Sequence, residues 1–373
     1  MRIQLIKYLS NLPGWRTKRK IVVIESDDWG SIRMPSLEAY HKLQKKGVSV
    51  DKGDNGRFNT LDTLANAEDL EALFETLTTF KDKNGNTPVF TPMALSANPD
   101  FENIERDKFQ QYHYKTAFET LKDYNLDTAI PLWKEGYENK LFNPEFHGRE
   151  HLNVRLWLQA LQNNDKDTLA AFNEKCWGFK PKSNIGSSYQ AAFHVENLSK
   201  DIPVHNEIIR DGVALFEKLH ARKPKFFVPP NGAIHQQVIN YAAGQGLKYI
   251  SSPKIHSEPV GQGKTKKRFR YIGKKGKNGL LYITRNCFFE PSYSGKGHSL
   301  EDCLSHIHTA FIFKKPAVIS THRVNYVGGL NEKNRTDGNK SLKELIARIL
   351  KKWPDVEFMT SSQLGDLISN DKN

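Results

Sequence analysis

Two carboxylates stand side by side at Asp27-Asp28, directly after the apolar run KIVVIES of Lys20–Ser26. Adjacent carboxylates repel unless they share a proton or a cation. The pair is therefore either a metal or acid–base site or a solvated turn that caps a helix. His147-Gly148-Arg149-Glu150-His151 sets two imidazoles four residues apart. On a single helical turn that spacing aims both rings at one ion. Phe226-Phe227-Val228-Pro229-Pro230-Asn231-Gly232 reads as a strand running into a rigid turn. Two prolines fix φ and Gly232 permits a tight bend. Such a turn can aim a backbone N–H at a developing oxyanion, or it can simply reverse the chain. His322 ends the run Ala317–Thr321, where an imidazole can serve as a general acid or as a structural group. The other ten histidines have no motif around them and are read as structural.

The five residues His147–His151 also match H-x-x-E-H, the inverted zincin pattern, in which Glu150 would be the base of a zinc metallopeptidase. Gly148 counts against that reading, because glycine costs roughly 1 kcal/mol inside a helix. It also leaves the Asp pair, the Pro-Pro turn and His322 without a task.

The elements that would position these groups alternate between strand and helix. Strands are expected at Lys20–Ser26, Thr87–Ala94, Thr128–Leu132, Lys225–Val228, Lys248–Ser251, Leu280–Thr284, Ala317–Thr321 and Val356–Thr360. Helices are expected at Ala67–Phe80, Phe109–Tyr124, Val154–Asn163, Asp167–Cys176, Asn206–Leu219 and Gln236–Gln245. Further helices are expected from Ser299 to about Phe311, from a capping box at Ser341–Glu344 through Lys351, and from Ser361 or Ser362 to the end. This alternation implies a parallel α/β sheet, open or closed. Asp27, Asp28, Pro229–Gly232 and His322 all follow predicted strands. In a βα barrel those strand ends share one rim, where active sites form.

The chain has 373 residues, 38% of them hydrophobic and 11% aromatic, enough for a real core. Its net charge of +13 favours an anionic partner or is a solvated lysine-rich surface. No nucleic-acid-binding motif is visible, and no nucleic-acid partner is expected. Residues 254–278 hold nine Lys or Arg and read as an exposed basic loop or hairpin inserted into a catalytic domain spanning 20–368. Residues 1–19 form a separate N-terminal segment. There Leu5, Leu9 and Leu12, with Arg2 and Lys7 beside them, fit a short amphipathic helix that packs on the fold or touches a membrane surface. Gln4 and Lys7 interrupt any signal-like apolar region, and no run reaches the ~18 residues of a spanning helix. The three cysteines, Cys176, Cys287 and Cys303, imply no disulfide framework. A cytoplasmic protein is expected.

Taken in order, these residues resemble the polysaccharide deacetylases, the NodB-homology fold of carbohydrate esterase family 4. The family's Asp-Asp motif is resembled by Glu25-Ser26-Asp27-Asp28-Trp29-Gly30, and its H-(S/T)-x-x-H motif by His147–His151. Its R-P-P-Y-G turn with a later G-L is resembled by Val228–Gly232 and Gly246-Leu247, and its late L-x-H strand end by Ile319–His322. Val356–Leu364 is similar to its closing strand and helix start. The chain departs from the pattern at Ser26, Gly148, Val228 and Asn231, and no D-x-x-D-W motif follows Leu247. Val228 stands where the family has the arginine that orients the catalytic Asp, so the base must be held in another way.

The resemblance implies a distorted (β/α)7-type barrel with inserted loops. It implies that Asp28, His147 and His151 hold one divalent ion, with Zn2+ favoured and Co2+, Ni2+ or Mn2+ as alternatives. Asp27 would be the base, the N–H near Asn231 would hold the oxyanion, and His322 would protonate the leaving group. The implied substrate is an acetylated glycan or sugar conjugate, anionic if the basic insertion serves it. A catalytically dead glycan-binding protein on the same fold is the alternative from another class.

Overall fold

Strand β1 (Lys20–Trp29) is buried along nearly its whole length, as a β-branched run between two layers must be. It continues through the Asp pair rather than ending at Ser26. The computed structural model describes residues 11–182, 188–276 and 278–371. The remaining strands are β2 (Phe90–Leu95), β3 (Ala97–Pro99), β4 (Tyr114–Thr116), β5 (Glu145–Gly148), β6 (Phe226–Phe227) and β7 (Tyr249–Ser251). They are followed by β8 (Ile255–Gly261), β9 (Lys264–Phe269), β10 (Lys274–Lys275), β11 (Leu281–Ile283), β12 (Cys287–Phe288), β13 (Ala317–His322) and β14 (Val356–Phe358).

Ten strands form one sheet in the order β10-β11-β7-β6-β5-β2-β1-β13-β12, with β14 also paired to β1. Every pairing in it is parallel except β10 with β11. The chain passes from β11 to β12, near opposite ends of this order, through Thr284-Arg285-Asn286 alone. So short a link requires the sheet to curl and brings its two ends near each other, which gives a distorted, half-closed α/β barrel. Strands β3 and β4 form a separate antiparallel pair around the helix Phe101–Arg106, and β8 and β9 form a hairpin within the basic stretch 254–278.

Both faces of the sheet are buried. Val22 and Ile24 face the large cluster formed with the surrounding helices. Ile21 and Val23 face the concave side, with Met93, Phe226, Val318 and, from the helix Ser361–Asn370, Leu364. Further along that concave side, alternation brings Glu25 and then Asp27.

Three expectations are corrected. Residues Thr128–Leu132 begin a helix, Ala129–Glu138, rather than a strand; Trp133 and Gly136 on its buried face pack against Phe142 and Phe74. Phe109–Tyr124 is not one helix, because Tyr114–Thr116 pairs with Ala97–Pro99 before a shorter helix, Ala117–Asp123. Ser341 is not a cap: the helix runs without a break from Glu332 to Lys352. By contrast, Ser299 caps the helix Leu300–Ile312 as expected, with Asp302 completing a capping box. Arg2, Leu5, Lys7 and Leu9 lie outside the described residues, and Leu12 is exposed. Among the described residues no helix is long and apolar enough to cross a membrane. All three cysteines are buried and free.

Candidate active site

Successive residues of a strand point to opposite faces, so two adjacent aspartates should not share a cavity. A bulge between Ser26 and Trp29 resolves this, and Asp28 takes a φ of 76°. That conformation is uncommon for a residue with a Cβ and costs about 1–3 kcal/mol, which the surroundings must hold in place. Trp29 locks the bulge: its indole N–H donates to Ser26 Oγ at 2.9 Å and its ring meets Phe142 edge-on. Asp27 and Asp28 then both line a cavity of about 450 Å3 at the carboxyl ends of the strands, with His147, His151, Asn231 and His322.

Asp28, His147 and His151 converge, their candidate ligand atoms all lying within 4.8 Å of one another. The expected single helical turn does not carry the histidines. His147 ends β5, and His151 sits in the loop before the helix Val154–Gln162. Gly148, with φ of 128°, makes the turn between them. His147 Nδ1 lies 2.7 Å from the Val228 carbonyl, which can only accept, so Nδ1 carries the proton. In the neutral ring Nε2 then presents a lone pair to Asp28 Oδ1 at 3.3 Å, and His151 Nε2 faces the same oxygen at 3.2 Å. The facing lone pairs of His147 Nε2 and Asp28 Oδ1 repel in a buried site unless a cation or a shared proton lies between them. Two nitrogens and one oxygen, all buried, are a donor set suited to Zn2+ and its neighbours.

The surroundings hold these ligands still. Arg33 Nη2 donates to the other Asp28 oxygen at 2.8 Å, and its guanidinium lies over Phe58, 4.4 Å from the ring centroid. Burial pushes the Asp28 carboxyl up, but Arg33, His151 and His147 outweigh it and hold it well below the usual range. His151 stacks on Trp177, with ring centroids 6.2 Å apart. Burial lowers its basicity, which keeps its nitrogens free of added protons.

Asp27 and His322 are register partners on adjacent strands. Asp27 is gripped by Arg285, whose Nη1 and Nη2 each donate to one carboxylate oxygen at 2.6 Å. Arg285 Nε donates to Glu25 at 2.6 Å. Burial raises the Asp27 carboxyl, but Arg285 outweighs it and keeps the group ionised. His322 Nε2 lies 3.8 Å from Asp27, while Nδ1 meets Glu290 Oε1 at 2.5 Å. Burial disfavours the imidazolium, yet Glu290, aided by Asp27 and Asp28, raises the pKa of His322 to about 9. Arg57 and Asn325 donate to the other Glu290 oxygen at 3.0 and 2.8 Å.

The Pro-Pro turn is a single 3-10 turn, Pro230–Gly232, in which Asn231 has φ of 51°. Glu150 is turned away: it accepts from Arg149 Nε at 2.6 Å and is not among the described residues lining the cavity. Sequence reading missed Arg33, Arg285 and Glu290. Arg285 and Glu290 do follow strands, which is the one signal that marked the others.

No protein-family model and no curated protein sequence matches the chain. Solved structures do match. One is described as a putative polysaccharide deacetylase from Mycobacterium smegmatis, 13% identical with a TM-score of 0.46, over 95% of this chain and 92% of that one. Another is a family 4 acetyl xylan esterase from Clostridium thermocellum in complex with a cobalt ion, 11% identical with a TM-score of 0.37, over 93% and 91%. A third is a carbohydrate esterase family 4 pseudoenzyme from Bacillus anthracis, 10% identical with a TM-score of 0.37, over 93% of this chain and 66% of that one. The chain is thus similar over most of its length to solved polysaccharide deacetylase structures, at identities that leave its chemistry to be argued from its own side chains.

Proposed function

We propose that the chain is a metal-dependent hydrolase that removes acetyl groups from an N- or O-acetylated sugar or sugar conjugate. The observation that carries this reading is the convergence of His147 Nε2 and His151 Nε2 on Asp28 Oδ1, with a second carboxylate, Asp27, and a histidine paired to Glu290, His322, lining the same cavity. Asp28, His147 and His151 would hold the ion. When bound, a divalent ion of the Zn2+ kind polarises a carbonyl oxygen and acidifies water.

The remaining work belongs to side chains. Asp27, ionised and held at both oxygens by Arg285, takes the proton of the attacking water through a remaining lone pair. The N–H at Asn231, in a turn that lines the cavity, would serve the oxyanion. His322, fixed through Nδ1 by Glu290, delivers its Nε2 proton to the departing amine or hydroxyl. The metallopeptidase reading needs Glu150 as base, yet Glu150 is paired with Arg149. A binding protein without turnover would need neither Asp27 nor His322.

The test is metal analysis of the purified protein together with acetate release from a panel of N- and O-acetylated sugars. One divalent ion per chain and acetate release from at least one sugar are expected. A metal-loaded protein that cleaves peptides and releases no acetate would overturn the reading.

A further inference from the structure

The basic stretch after the cavity is a built hairpin. It leaves the cavity wall at Ser251–Pro253 and folds as β8 against β9. One face fastens it to the barrel. His256 is 3.0 Å from the Ile234 carbonyl, Glu258 accepts from the Gln236 N–H at 2.9 Å, and Arg268 donates to Glu258 at 2.6 Å. The opposite face has no such tie. Ile255 and Phe269 are cross-strand partners there, and they stand 57% and 69% exposed. Tyr271 follows, 37% exposed. The segment holding Leu12, itself 45% exposed, is tied to this region through Asn11, which accepts from Lys254, and through Trp15, whose N–H donates to the Ile272 carbonyl.

On this face Lys267 alternates with Phe269 and Lys274 Nζ lies 5.5 Å from the Tyr271 ring centroid, while Lys264, Lys266 and Lys275 are exposed at the edges of the hairpin. Among the described residues none of these five forms an ion pair. Lys267 and Lys274 donate instead to neutral oxygens, Ser257 Oγ at 2.6 Å and the Phe269 carbonyl at 2.7 Å. A cross-strand pair of large apolar side chains facing outward is costly in water and marks a contact surface. Nucleic-acid surfaces rely on basic groups and stacking rings; Phe269 and Tyr271 could stack, but the aliphatic Ile255, paired with Phe269 across the strands, fits a lipid surface better. Apolar side chains ringed by lysines fit the interface of an anionic bilayer, where the chains enter the headgroup boundary and the ammonium groups meet phosphates.

We propose that the outer face of the β8–β9 hairpin docks on an anionic lipid surface, setting the cavity mouth beside that plane. The full chain is sedimented with vesicles of phosphatidylcholine alone and of phosphatidylcholine mixed with phosphatidylglycerol, with circular dichroism confirming that each variant is folded. Binding only to the mixed vesicles is expected. Each lysine near the surface contributes about fivefold, so a variant carrying Lys267→Glu and Lys274→Glu should lower the partition coefficient about twenty-five-fold or more. The Ile255→Ser, Phe269→Ser double variant should lower it about tenfold. Absence of wild-type binding to the mixed vesicles overturns the proposal. So does wild-type-like binding by either variant; in the Ile255→Ser, Phe269→Ser variant, with single-stranded DNA competing the protein off, that result would point to a nucleic-acid surface instead. No activity is read, so failure here leaves the deacetylase reading untouched.

Discussion

Replacing Glu290 with Gln removes its charge while leaving an amide oxygen that can still accept from His322; the amide nitrogen takes the place of the oxygen to which Arg57 and Asn325 donate, a cost that does not depend on pH in this window. Nδ1 of His322 and Oε1 of Glu290 are 2.5 Å apart, with Glu290 6% exposed and His322 30% exposed. Burial opposes the imidazolium, yet Glu290 raises the pKa from 6.5 to about 9. A displacement of that size, allowing for partial solvent screening, corresponds to about 2–3 kcal/mol of preference for the charged ring. The folded value lies above the unfolded one, so this stability is fully present below pH 6.5 and is lost as pH rises through about 9. The wild-type melting temperature should therefore fall by about 3–5 °C across that window. Glu290→Gln should flatten most of this fall and should move the alkaline limb of kcat/KM down by about two pH units. His322→Gln, which has no ring to titrate, should flatten the melting curve in the same way. Thermal melts from pH 6 to pH 10 and a pH–rate profile read both effects. A Glu290→Gln variant that keeps the wild-type slope and the wild-type alkaline limb would refute the pairing as the source of the shift.

Replacing His151 with Ala should remove most of the bound metal, as read by elemental analysis; full occupancy would take His151 out of the site. Asp27→Asn should keep the metal and lose about 10²–10⁴-fold in turnover, while Glu150→Gln should be milder. The reverse order, measured on acetylated sugar and on peptide, would favour a peptidase. Arg285→Gln leaves Glu25 and Asp27 buried without their counter-charge and should destabilise the chain by about 3–5 kcal/mol in denaturant unfolding. His322→Ala should lose about 10²–10⁴-fold on sugar substrates and less on an aryl acetate, whose leaving group needs less protonation; equal losses would mean that His322 is not the acid.

Much of the barrel was legible in the sequence, because β-branched runs and helical periodicity are local patterns that burial enforces residue by residue. The run Lys20–Ser26, the strand end at His322 and the cap at Ser299 are of this kind. The candidate residues Asp27, Asp28, His147, His151, Asn231 and His322, picked out by type and by their place after strands, line one cavity. How they reach it was not legible. Strand alternation would have sent Asp27 and Asp28 to opposite faces, and only the bulge at φ 76° brings them together. The spacing of His147 and His151 invited a helix, where Gly148 instead turns a strand into a loop. The short run Thr128–Leu132 carried too little pattern to separate strand from helix, and contacts with Phe142 and Phe74 decided it.

The residues that tune the chemistry were the least visible. Arg285 stands 258 positions from Asp27, and Glu290 stands 32 from His322. No periodicity links such partners. The turn Val228–Gly232 offers Asp27 no arginine; Arg285 reaches it instead from the short link between β11 and β12. Residue type and local spacing determined which groups could do chemistry. Which charge lies against which carboxylate depends on how the sheet curls, because electrostatic partners are set by distance in space, and only closure of the barrel fixes that distance.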